Sequence, residues 1–200
     1  MPLWGATDSD ESKPKFLTDE QKKQCFATKS GWVLENGALT GNDNPNADPE
    51  ILVAIGELAT SIGAADITEI EFITTAFSKS AAAAADRTLS ARVRFNEAVD
   101  VDTSGGTPTL SVTNGNQGTG SGRGPHALAY ASGSGSNELV FTLVIAQNNA
   151  ATNENDVLTI GANPLALNSG TIKDAGTSTN STITSVEAIG TAAGSITVDA

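Results

Sequence analysis

The chain has 200 residues, one histidine, one cysteine and a formal net charge of −12, with 11 basic side chains against 23 acidic ones. Nucleic acid and anionic membranes repel so acidic a chain, so neither is expected as a direct partner. Glycine added to the 38% hydrophobic residues gives an ordinary globular balance, which excludes disorder throughout, and a lone cysteine excludes an internal disulfide. No basic region leading into an apolar stretch opens the sequence, so no signal peptide is read. The longest strongly apolar run, Leu139 to Ala146, is far shorter than the ~20 residues of a membrane helix.

Residues 1–15 hold Trp4, five charges and two prolines without periodicity, and residues 1–16 read as an extended arm. Thr18-Asp-Glu-Gln21 has the form of a capping box, which predicts a short helix through about Ala27 and places Cys25 on it. Gly31-Trp-Val-Leu34 and Glu50-Ile-Leu-Val-Ala-Ile55 read as strands, with Trp32 in the core. For 49–62 a helix is the alternative, because Ile51, Ile55, Leu58 and Ile62 keep helical spacing behind Asp48-Pro49. Ile67 to Ile73 sets Glu69 and Glu71 against Ile70 and Phe72, the pattern of a strand with one wet face. Residues 1–75 hold 13 acids and 5 bases and residues 76–200 hold 10 and 6, which sets a seam near residue 76. The alanine run Ser80 to Ala85 is too short to be a stable helix alone and reads as a linker or strand lead-in.

Beyond the seam the pattern is all-β. Leu89, Ala91, Val93 and Phe95 alternate with Ser90, Arg92 and Arg94; Leu110 alternates with Val112, and Leu128 with Tyr130, across small or polar neighbours. Glu138 to Ala146 is the clearest strand. Val157 to Ile160, Thr182 to Ile189 and Ser195 to Val198 are further candidates, with Gly, Ser and Asn turn clusters between them. Short strands at this spacing predict a β-sandwich. The division is an arm over 1–16, a small mixed α/β part over 17–75, a linker over 76–87 and the sandwich over 88–200.

Residue types for catalysis are scarce, and no catalytic residue is assigned. His126 stands after the glycine-rich Gly118 to Gly124 and reads as an exposed loop histidine; Cys25 reads as a structural thiol. The glycine string lacks the Gly-Lys-Ser/Thr of a phosphate loop and reads as a hairpin loop. Asp100 and Asp102 with Asp156 or Asp174 could offer carboxylates to calcium, but no EF-hand spacing exists. They read as solvated side chains. Neither a metal nor a cofactor is expected. Trp4 and Phe16, aromatic and on the arm, are the candidate partner-binding residues.

Phe95-Asn-Glu-Ala-Val99, Gly106-Thr-Pro-Thr-Leu110, Tyr130 to Asn137 with Leu139 and Phe141, and Leu165 to Asp174 together resemble the bacterial immunoglobulin-like repeats of large surface proteins and phage virions, across about 88–180. That resemblance implies an immunoglobulin-like Greek-key sandwich used for display or adhesion, here as one copy instead of a tandem array. Leu3-Trp-Gly5, Lys13-Pro-Lys-Phe16, Cys25-Phe-Ala-Thr28, Gly31-Trp-Val33 and Glu50 to Gly56 resemble the start of virion structural proteins of tailed phages of marine cyanobacteria. The two resemblances imply a non-enzymatic virion protein, assembled in the host cytoplasm. A head decoration protein is favoured, with the major capsid protein or other virion proteins as partners and several copies per particle. The alternatives are a neck, tail or fibre component, or a cell-surface adhesin module.

Overall fold

Thr18 opens the first regular element of the computed structural model, which describes residues 13–37, 40, 44, 47–115 and 125–200. The predicted capping box is present: the Thr18 hydroxyl accepts from the Gln21 N–H at 3.2 Å, and the Gln21 side chain accepts from the Thr18 N–H at 3.0 Å. Helix α1 (Asp19–Lys23) is nevertheless only five residues long. Cys25 lies beyond it on strand β1 (Cys25–Thr28), which corrects the helix expected through Ala27. Tertiary pairing decides this. β1 forms a hairpin with β2 (Gly31–Leu34), and Cys25, Phe26 and Ala27 are buried in doing so. Gly31 takes φ +133°, and a Cβ there would stand 2.0 Å from the Val53 carbonyl oxygen, so the tight turn and the packing of the next strand both require glycine.

That next strand is β3 (Glu50–Ala54), followed by the one-turn α2 (Leu58–Ser61), so the 49–62 stretch is strand first and helix second. The three strands and two short helices enclose a small core of Leu17, Cys25, Ala27, Trp32, Leu34, Leu58 and Ile62.

Among the described residues the structure is mainly β, 45% strand and 9% helix, as the sequence predicts. The remaining strands are β4 (Ile67–Phe72), β5 (Phe77–Ser78), β6 (Thr88–Asp102), β7 (Thr109–Gly115), β8 (His126–Ser132), β9 (Ser136–Val144), β10 (Val157–Thr159), β11 (Leu165–Ala166), β12 (Thr171–Asp174) and β13 (Ser195–Asp199). Among the described residues they form one hydrogen-bonded path, β3-β2-β1-β6-β9-β8-β7-β10-β13-β5, with β11 on β7 and with β4 and β12 on β6. Inward side chains of β4, β6, β7, β8, β9, β10, β12 and β13 meet in a larger core built on Leu89, Val93, Phe95, Leu110, Leu128, Leu139 and Phe141. Their burial at about 25 cal/mol per Å2 of apolar surface is the main force holding the sheet.

Two cores make the boundary physical. The smaller ends at Ile62 and the larger begins at Ala65. Ile67, Ile70 and Phe77, placed by composition in the N-terminal part and the linker, belong to the larger core. β4 pairs antiparallel with β6, and β5 pairs parallel with β13. The alanine run ends in a single 3-10 turn at Ala85–Arg87, which Arg87 fixes by donating from Nε to the Ala81 carbonyl at 2.8 Å.

The strand expected over 182–189 is not formed. Thr182 makes one bridge to Asp66, and residues Glu187–Thr191 form helix α3 against β4. Ile183 and Ile189 pack on the core while Val186 stays 66% exposed. Gly190 allows α3 to approach the backbone after β10, because a Cβ there would meet the Gly161 carbonyl oxygen at 2.1 Å.

β6 positions the site. It pairs with β9 through Arg94, and pairing resumes at Val99 opposite Ser136, so β6 advances five residues where β9 advances two. The bulge at Phe95–Ala98 is where β1 docks, parallel, with Ala27 opposite Glu97. Asn96 holds the bulge: its Oδ1 accepts from the Asp66 N–H at 2.7 Å, and its own N–H donates to the Asp66 carbonyl at 3.0 Å.

Candidate functional site

Arg92 and Arg94 occupy the face of β6 that alternation turns away from the larger core, and this face is largely covered: the Arg94 side chain is 6% exposed and the Arg92 side chain 29%. Five consecutive β6 residues, Val93 to Glu97, are buried, because the N-terminal meander covers the second face. Register then sets the charges in order. Glu69 on β4, Arg94 on β6 and Glu138 on β9 lie directly opposite one another across three strands, and Glu71 lies opposite Arg92. Glu35, immediately after β2, reaches the same place from the meander.

Arg94 is 5% exposed and is the hub. Its Nε donates to Glu138 at 2.6 Å and lies 3.3 Å from Glu35; its Nη1 donates to Glu69 and lies 3.4 Å from Glu71. Arg92 donates from Nε to Glu71 at 2.6 Å and from Nη1 to Glu138 at 3.0 Å. Lys23 of α1 stands 3.8 Å from Glu69. The Asn137 side-chain amide donates to Glu35. A cleft of about 500 Å3 opens beside this cluster, lined by Phe26, Asn36 and Ser136 as well as the charged groups.

Electrostatics separates the two central acids. Burial raises Glu35, the neighbouring Glu138 charge raises it further, and Arg94 and Asn137 pull it down only in part, leaving its pKa at about 7. Burial alone would also raise Glu138, but Arg94 and Arg92 outweigh it and hold that carboxyl below its usual value. Arg94 loses by desolvation and gains more from Glu35 and Glu138, so it stays charged at every accessible pH. Chemically the cluster is a set of paired charges that ties β2, β4, β6 and β9 together.

The sequence-derived candidates fall elsewhere. Phe16 is 72% exposed beside the buried Leu17. Trp4 and the glycine string Gly118 to Gly124 lie outside the described residues. His126 is not an exposed loop residue: β8 begins at it, and with Leu128 and Tyr130 it faces inward. Its Nε2 is 3.1 Å from the buried Thr152 hydroxyl, and burial lowers its pKa against a smaller opposing pull from Asp156. Cys25 is buried in the smaller core. Asp156 and Asp174 are buried rather than solvated, each inside its own turn: Asp156 accepts from the Asn153 N–H at 2.8 Å and Asp174 from the Thr177 hydroxyl at 2.9 Å. Asp100 and Asp102 are exposed on β6. Among the described residues no three His, Cys, Asp or Glu side chains are grouped to hold a metal ion.

Sequence reasoning did not single out the charge cluster. Its signal was two strands of matching period with opposite charges, Glu69 and Glu71 on one, Arg92 and Arg94 on the other. Glu35, from the separate meander, carried no such signal.

The chain matches no family model, no curated protein and no solved structure.

Proposed function

We propose that this protein is a non-enzymatic structural component of a phage virion, a head decoration protein present in several copies per particle. In this reading the N-terminal part, residues 1–62, holds the major capsid protein, and the larger β unit, taken as an immunoglobulin-like sandwich, faces outward. The observation that carries the proposal is Phe16. A phenylalanine 72% exposed, with Leu17 next to it fully packed, is held out from its own core at the foot of the arm. Aromatic side chains in that position supply large contact area at low entropic cost when a partner covers them. Ile51, exposed on β3, adds apolar surface on the same N-terminal part. The cleft charges support a structural role, because they are satisfied by one another and hold the two cores together.

Co-sedimentation with phage particles, together with labelled density in an intact particle, tests this. Phe16→Ser and deletion of residues 1–16 should each reduce incorporation, while Phe16→Ser leaves the melting temperature within about 2 °C, the usual span for an exposed substitution. Equal incorporation of all three chains, or wild-type chain absent from particles, rejects the reading.

A further inference from the structure

β3 ends the hydrogen-bonded path of the sheet, so β2 covers one of its edges and no described strand pairs with the other. An open edge presents a row of backbone N–H and C=O groups, and another extended chain is what satisfies them in register. At the far end of the path β5 is two residues long with Phe77 buried, too short to offer such a row. β3 also differs in its side chains. Ile51 to Ile55 run without a charge or a proline; Leu52, Val53 and Ile55 lean on the smaller core, and Ile51 stays 58% exposed. The strand is short, and its register steps at Leu52, where Ile51 and Val53 stand opposite the adjacent Val33 and Trp32. We propose that the open edge of β3 docks a short extended segment of another protein, apolar in its middle and basic at the end that meets Glu50. This deepens the reading above and rests on it only for which protein supplies the segment.

The surroundings set the partner's chemistry. Asp48 and Glu50, both exposed, flank the start of the strand. At its other end the exposed Glu57 has Lys29 beside it, because the Glu57 N–H donates to the Lys29 carbonyl at 2.8 Å. The acidic excess therefore lies at the start, and an antiparallel partner meets it with basic residues at its own C-terminal end. A second copy of this chain fits less well. Each copy brings a net charge of −12, and a parallel pair would set Glu50 against Glu50. The edge is also formed in advance. Gly31 admits β2 so close that a Cβ would stand 2.0 Å from the Val53 carbonyl oxygen, and the Ile55 N–H donates to the Ser30 carbonyl at 3.0 Å. A partner strand thus meets a fixed row of backbone groups and has only itself to order.

The full chain, labelled with nitrogen-15, is titrated at low salt with the peptide Val-Thr-Val-Thr-Val-Lys-Lys. The amides of Ile51 to Ala54 should shift and exchange on the order of tenfold more slowly, while those of β8 and β9 stay unmoved. The peptide ending in Glu-Glu should bind on the order of tenfold more weakly. Glu50→Lys, at an exposed position that leaves the fold intact, should close most of that gap. A lysine-ended peptide with methylated backbone nitrogens through its middle should not bind. The proposal is overturned if the β3 amides are unmoved at about 1 mM peptide, or if the methylated or glutamate-ended peptide binds as well as the first. Protection of β3 that rises with chain concentration alone also overturns it, by making a second copy the occupant. Particle incorporation is scored separately. A chain that binds the peptide but is absent from particles rejects the decoration reading and keeps the docking edge; a chain in particles whose β3 exchange is unchanged does the reverse.

Discussion

Replacing Arg94 by Met tests how the two cores are joined. Methionine fills much of the same space and removes the charge, leaving Glu35, Glu69, Glu71 and Glu138 around an apolar side chain. At a charge separation near 4 Å and an effective dielectric of about 20, each carboxylate loses roughly 4 kcal/mol of attraction. Relief from desolvating the guanidinium offsets most of that, and removal of one partner from a buried charge set costs about 3–5 kcal/mol net. The loss should depend on pH with a defined sign. Without Arg94, Glu35 and Glu138 hold protons to higher pH in the folded chain than in the unfolded one, so the variant keeps stability in acid and loses it as pH rises. Urea unfolding followed by tryptophan fluorescence and far-UV circular dichroism at pH 5 and pH 8 measures both quantities. We expect a loss of about 3–5 kcal/mol at pH 8 and about half that at pH 5. A loss below about 1 kcal/mol at pH 8, or an equal loss at both pH values, would refute the reasoning, since either would mean that Arg94 does not organise the carboxylates around it.

Gly31→Ala should destabilise the meander by more than about 2 kcal/mol, since its Cβ would stand 2.0 Å from the Val53 carbonyl oxygen at a φ of +133°; urea unfolding of the variant measures it, and a change under about 0.5 kcal/mol counts against the β2–β3 packing described. Residues 64–200 should fold cooperatively as a fragment, because they contain every residue of the larger core. Residues 86–200 should be less stable by several kcal/mol, having lost Ile67, Ile70 and Phe77 at roughly 1.5–3 kcal/mol each; equal melting of the two fragments would return the boundary to the alanine run. The arm variants extend these tests to partner binding.

Local physics wrote much of this protein into its sequence. The strict two-residue alternation in 88–95 and 138–146 fixed which side chains of β6 and β9 face a core, because successive side chains of a strand point to opposite faces whatever lies on them. The capping box fixed where α1 begins, because its bonds span only three residues. What alternation does not encode is what covers the second face. Arg92, Arg94, Glu69 and Glu71 read as solvent-facing, yet the β1–β3 meander from earlier in the chain packs over this face, and their register across three strands turns separate charges into one cluster. Cys25 to Ala27 became strand and 182–189 became a single bridge and the start of a helix for the same reason: long-range pairing and packing outweigh a local preference of a few tenths of a kcal/mol per residue. His126 was placed on a surface loop by its glycine-rich neighbours and is buried because β8 starts at the histidine itself. Glu35 is the extreme case. Its carboxyl is raised by burial and by the charge of Glu138, 103 positions away in sequence, which only the folded chain brings to the same cluster.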